Sequence, residues 1–219
     1  MFHNSEPVVI LGAGPGLGRA IAAAFSGHGA SLALLARDPA RLKSMAAEFR
    51  TAMPVPVDVT DEPALRSALA AVRSELGDPA VLVHNPSAAY EAPATGTPLR
   101  ALLDGFALTA GSLLVAAQEV APAMRRRRRG SILVTGSTTA ATGSTWSASL
   151  AAQKAAVRNL ALSLAAELAP AGVNVTTITI DGSLGAPGFE HDRIAAEYLR
   201  LAKHDGATPA ELIWPPQAD

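Results

Sequence analysis

Seven residues constrain this chain more than any others: Gly12-Ala13-Gly14-Pro15-Gly16-Leu17-Gly18. They follow a short apolar run, Val8 to Leu11, and open an alanine-rich stretch that reads as a helix, Arg19 to Gly27. Glycine lacks Cβ, so it stands where backbone turns sharply or must approach another group closely. A helix that starts in such a turn presents free N–H groups and the positive end of its dipole, which suits a phosphate. Strand, glycine turn and helix together predict a dinucleotide site.

The rest of the chain repeats the alternation. Strands are expected at Ser31 to Ala36, Val55 to Val57, Val81 to His84, Ser131 to Thr135 and Val173 to Ile180. Helices are expected at Pro39 to Arg50, Asp61 to Leu76, Leu99 to Met124 and Ser147 to Ala169, with a Pro- and Ala-rich loop at Pro86 to Pro98. Gly77, and Pro170 with Gly172, read as helix stops. Alternating strands and helices imply an α/β fold: a Rossmann-type, doubly wound parallel sheet with helices on both faces. Ligands in such folds bind beyond the carboxyl ends of the strands. With 219 residues and no visible linker or repeat, residues 1–219 are read as one domain.

Composition narrows the function classes. Net charge is -1, which points to neither nucleic acid nor membrane. The chain has no cysteine, and its five histidines form no ligand-spaced pair, so no metal site is expected. Arg125 to Arg129 reads as the cation-rich end of a helix, not as a nucleic-acid patch. No run reaches the roughly 18 apolar residues of a membrane span. Met1 to Pro7 lacks the pattern of a leader, so a cytoplasmic location is expected.

The end of the second strand addresses the cofactor type. An acidic residue there would bind a ribose 2′-hydroxyl. Ala36 and Arg37 stand there instead, and a guanidinium suits a 2′-phosphate. NADP(H) is therefore expected over NAD. Two alternatives stand beside this: a solvated Arg37 paired with Asp38, or Asp38 itself reaching a ribose.

The glycines fit the spacing GxxxGxG at Gly12, Gly16 and Gly18, which resembles the short-chain dehydrogenase/reductase family. The resemblance runs from Val8 to about Ile180. It implies cofactor contacts at Gly12, Gly14, Gly16, Leu17, Gly18, Arg37, at the Asp58-Val59 step, and at Asn85, which stands in the family's Asn-Asn-Ala-Gly segment. Ser131 to Ser137 resembles the strand that delivers the catalytic serine, placing Ser137 in that role. Lys154 matches the catalytic lysine, which also binds the nicotinamide ribose.

Departures matter as much. The family's YxxxK motif needs a tyrosine four residues before the lysine, on the same helical face. Leu150 stands there and has no proton to give. The family's catalytic asparagine falls near Leu108 or Thr109 and is also missing. After the sixth strand, Asp181-Gly182 replaces the family's Pro-Gly. Ile180-Asp181-Gly182 resembles the ending of a divergent branch in which an aromatic residue replaces the tyrosine. Asp181, Gly182 and Leu184 are expected on the cofactor, and Tyr90, Thr139, Leu150 and Asp181 around the substrate. Each has a plainer reading: Ser137 ends a strand, Lys154 is structural, Asp181 makes an Asp-Gly turn, and Tyr90 sits on a rim. Glu211 to Trp214 resembles a remnant of the family's final strand.

The expected function is an NADP(H)-dependent oxidoreductase with atypical acid-base residues, acting on a small carbonyl or related molecule. Two further readings stand beside it: a catalytically silent NADP(H)-binding sensor or interaction protein, and a non-redox lyase or isomerase reusing the pocket. The family's pairing of its long helices implies a homodimer or homotetramer.

Overall fold

The computed structural model describes His3 and residues 5–216. Met1, Phe2 and Asn4 of the stretch read for a leader, and residues 217–219, lie outside the described residues.

Strand β1 (Pro7–Leu11) leads through the glycine turn into α1 (Leu17–Gly27). Then come β2 (Ser31–Ala36), α2 (Pro39–Ala46), β3 (Ala52–Pro56), α3 (Glu62–Leu76) and β4 (Val81–His84). The second half holds α4 (Leu99–Phe106), α5 (Ser112–Arg127), β5 (Gly130–Ser137), the short α6 (Thr139–Thr142) and α7 (Ala148–Leu168). It ends with β6 (Val173–Ile180), α8 (His191–Lys203) and β7 (Glu211–Trp214). The strands pair in parallel in the order β3-β2-β1-β4-β5-β6-β7. The Rossmann-type, doubly wound sheet is thus present.

Side chains alternate across a strand, and here both faces are covered. Val8 and Ile10 pack with α1, α2 and α8 on one face. Val9 and Leu11 pack with α3, α5 and α7 on the other. All four are fully buried, worth about 1.5–3 kcal/mol each relative to exposure. The sheet's rigidity fixes where its carboxyl ends deliver their residues.

The main differences from the sequence reading lie in four elements. Strand β3 starts earlier, at Ala52, and carries Pro54 and Pro56, which an edge strand tolerates because one side needs no ladder donor. Helix α2 stops at Ala46, not Arg50. The expected helix Leu99 to Met124 runs on to Arg127 but opens into a π-helical turn at Ala107–Gly111. Helix α8 was not anticipated at all; it buries Ile194, Ala195, Tyr198, Leu199 and Ala202, a helical spacing present in the sequence behind the Gly- and Pro-rich segment 182–188.

The arginine run is tied to the fold. Arg125 pairs with Glu167, Arg126 with Asp78 at 3.6 Å and Arg129 with Glu6 at 2.6 Å. Arg127 donates to the carbonyls of Asp78 and Pro79. By length and composition alone Leu99–Arg127 would suffice to cross a bilayer. Here one face lies in the core, and its Glu119 pairs with Arg66 and Arg73 of α3.

Candidate functional site

A cavity of about 600 Å³ lies beyond the carboxyl ends of β1, β2, β4, β5 and β6. The glycine turn forms its floor. Gly12 adopts φ +78°, and a Cβ there would stand 2.8 Å from the Asn85 carbonyl carbon. A Cβ on Gly18 would stand 2.6 Å from the Gly12 oxygen. Glycine is thus required at both positions for the turn to close. At Gly14 nothing stands closer to the Cβ position than Gly12 O at 4.0 Å, so that stretch of backbone is open to the cavity. No side chain caps the start of α1. An open turn, an uncapped helix start and nearby cations fit a pyrophosphate-bearing cofactor.

At the β2 end, Arg37 and Arg41 both line the cavity. Arg41 is one helical turn further on and was missed in the sequence. Asp38, the competing ligand considered for a ribose, accepts the Arg41 amide at 3.0 Å as the N-cap of α2. Asp58 accepts the amide and hydroxyl of Thr60 at 3.0 and 2.8 Å. These bonds, with the nearby Arg37 charge, hold its carboxyl below the usual carboxylate range. Val59 lies beside it on the wall.

At the other end, Ser137 closes β5, and Leu150 and Lys154 present the same face of α7. Lys154 is buried, and its Nζ donates to the Thr135 carbonyl at 2.8 Å. Burial pulls its pKa down to about 8. The Ser137 hydroxyl accepts from the Thr139 amide and hydroxyl at 3.3 and 3.1 Å. Asn85 lines the wall between the two ends, with Gly182 and Leu184 across from it.

The π-helical turn brings Leu108 onto the wall. It is secured from β4: His84 Nε2 meets Ser112 Oγ at 2.8 Å, and that hydroxyl donates to the Leu108 carbonyl at 2.6 Å. Burial first, and the charge of Lys154 second, push His84 down to about 3. The imidazole is therefore neutral.

Three expected contacts are not brought onto this cavity. The backbone of Asp181 continues the sheet edge, its amide donating to Trp214 O at 2.8 Å, and its side chain faces solvent. Thr139 acts only through its bonds to Ser137. The Tyr90 side chain is exposed, while its carbonyl accepts from the buried Ser147 Oγ at 2.8 Å. It lines an adjoining cavity of about 690 Å³, which shares Arg37, Asp58, Ala88 and Leu108 with the first.

A parallel doubly wound sheet with this crevice defines a Rossmann-type α/β protein. Within that class, the family model described as short chain dehydrogenase matches residues 6–183, and the chain belongs to the short-chain dehydrogenase/reductase family. It is 31% identical over 195 residues to a short chain dehydrogenase of Pseudocercospora fijiensis, covering 84% of this chain and 62% of that protein. It is 32% identical over 151 residues to an inactive 2-(S)-hydroxypropyl-CoM dehydrogenase of Xanthobacter autotrophicus, covering 68% of this chain and 66% of that one. The chain thus spans less than two thirds of the length of either relative. Among solved structures, a metagenomic short-chain oxidoreductase in complex with NADP superposes with a TM-score of 0.90 at 25% identity, covering 99% of both chains. The family comprises oxidoreductases that bind NAD(P) and small-molecule substrates.

Proposed function

We propose that this protein binds NADP(H) and works as an atypical oxidoreductase on a small carbonyl or related substrate. The observation that carries this is one cavity lined by the glycine turn, Arg37 and Arg41, Ser137 and Lys154. The two guanidiniums, with Asp38 occupied as a helix cap, favour a 2′-phosphate over a free ribose hydroxyl. The bound cofactor would supply the hydride. In this reading the α1 start holds the pyrophosphate, the Lys154 ammonium holds the nicotinamide ribose, and the Ser137 hydroxyl polarises the substrate carbonyl. Leu150 stands where a phenol would otherwise give a proton, so the proton would come from solvent or from the substrate. The chain is read as a branch of the family that has lost the tyrosine.

A second reading is favoured by one observation: Leu150, at the family's tyrosine position, bears no titratable or polar group, and of Leu108 and Thr109, near which the family's asparagine falls, only Leu108 lines the cavity. The resemblance to a relative described as inactive points the same way. In this reading the chain binds NADP(H) without turnover.

The rest of the proposal follows the family. The chain works as one domain, in the cytoplasm, as a homodimer or homotetramer built on its long helices, where Leu99, Leu103 and Leu114 are exposed.

The test titrates purified protein with NADPH and NADH, then follows NADPH consumption over carbonyls, imines and enones. Turnover supports the oxidoreductase. Binding without turnover supports the silent reading. Equal or tighter NADH binding overturns the cofactor assignment.

A further inference from the structure

Tyr198 is the largest fully buried side chain of the described residues, and it does not line the cavity. It comes from α8, and its hydroxyl lies 2.7 Å from Thr135 Oγ1. Thr135 Oγ1 lies 2.8 Å from Asn85 Oδ1, and Asn85 Nδ2 lies 3.0 Å from the Gly12 carbonyl. Three successive hydrogen bonds therefore join the C-terminal helix to the glycine turn across three strands.

The protons in this series allow only one direction. The Gly12 carbonyl only accepts, so the Asn85 amide must turn its NH₂ toward it. Asn85 Oδ1 then faces Thr135 and only accepts, which takes the single proton of the Thr135 hydroxyl. The remaining contact needs a proton from the Tyr198 phenol. Burial pushes the phenol's ionisation upward, so that proton is retained. The acceptor at the end of the series is central to the turn. Gly12 O also takes the Gly14 amide at 2.8 Å and sits where a Cβ on Gly18 would collide. Helix α8 touches the turn a second time through His191, whose Cε1 stands 3.2 Å from the Cβ position of Gly16.

We propose that Tyr198 is a positioning residue for the cofactor turn, holding the Gly12 carbonyl in place through Thr135 and Asn85. Helix α8 and the glycine turn then order together, and loosening one loosens the other. The inference rests on the cofactor reading above. It also separates Tyr198 from the missing phenol: its proton is committed inward and it meets no substrate.

Tyr198→Phe keeps the ring and removes only the donor. In ligand-free protein, amide exchange at Gly14 and Asn85 should accelerate, and NADPH should bind about fivefold more weakly, as for loss of one buried hydrogen bond. Thr135→Val should do the same, and the double variant should be no worse than either, because both cut one series. Thr135→Ser retains the hydroxyl and should restore both readouts. Leu201→Ala, a packing change on the same helix, should lower the melting temperature and leave both readouts alone. The proposal is overturned if Tyr198→Phe costs stability while Gly14 exchange and NADPH affinity stay at wild type, or if the two losses add. If wild-type protein binds no NADPH, the cofactor reading fails on its own, and ligand-free exchange still decides the role of Tyr198.

Discussion

At the β1–β2 end of the crevice the lining is backbone and permanent positive charge: the glycine turn, an uncapped helix start, Arg37 and Arg41. At the β5–β6 end it depends on single side chains: Ser137, Leu150, Lys154 and, from the π-helical turn, Leu108. In the proposed reading the first end carries what a dinucleotide phosphate needs. The second, in the same reading, keeps Lys154 and Ser137 in the lysine and serine roles and has Leu150 where the motif carries its tyrosine. Binding through backbone geometry survives sequence drift, because a turn with φ +78° at Gly12 admits few substitutes. Proton transfer resides in one hydroxyl and is lost with one substitution. A family fold therefore guarantees the first end far better than the second.

The sharpest way to break this contrast is to rebuild the second end. Leu150→Tyr would place a phenol one helical turn from Lys154, whose charge lowers the phenol's pKa. If only the acid is missing, turnover of a generic carbonyl should rise by at least about tenfold, since a general acid is typically worth about 10²- to 10⁴-fold. Steady-state NADPH consumption checks it. No change would mean that the whole reacting end has been rebuilt, and the silent reading gains.

The first end is tested by Arg37→Ala. It should weaken NADPH by about 1.5–3 kcal/mol, as for a charge-assisted hydrogen bond, and leave NADH nearly unchanged. Paired fluorescence titrations read this directly. A loss equal for both cofactors would show that Arg37 does not meet the extra phosphate.

A third test concerns the support of the second end. Folded His84 stays neutral down to about pH 3, against 6.5 as its ordinary value. Between those values the unfolded chain takes up a proton that the folded protein refuses, so stability falls as pH drops from 6.5 toward 3. From pH 7 to pH 5 the wild type should lose about 1–2 kcal/mol more than His84→Gln in urea unfolding. Parallel slopes for the two proteins would show that His84 is not held neutral against the π-helical turn.

The smallest expected effect is on assembly. Helices α4 and α5 expose Leu99, Leu103 and Leu114, and α7, which carries Leu150 and Lys154, packs against α4. A dimer on these helices would brace the second end from outside. Light scattering should find a dimer or tetramer at micromolar concentration, and Leu103→Glu should shift it toward monomer. A wild-type monomer would mean that the second end is braced by its own core alone.

Most of the fold was legible because period and punctuation are local. Alternating apolar runs and alanine-rich stretches located six of the strands, and Glu211 to Trp214 became the seventh, β7. Helix α8 was equally regular in its spacing, but the glycines and prolines of residues 182–188 drew the reading toward loop. The glycine turn, Arg37, Ser137, Leu150 and Lys154 were readable as residues with a spacing. Asp181, Thr139 and Tyr90 stand near lining residues in the sequence, yet none of the three lines the main cavity.

By itself, then, the amino-acid order determined the doubly wound sheet, the turn that needs glycine and the absence of a phenol before Lys154. Each depends on residue type at short separation, where backbone sterics and side-chain period act directly. Tertiary structure alone decided what met across long separations. Thr135 met Asn85 from 50 residues away, and Tyr198 met Thr135 from 63. No local pattern encodes such meetings, because they follow from the order in which strands enter the sheet and the helix each one carries onto its face.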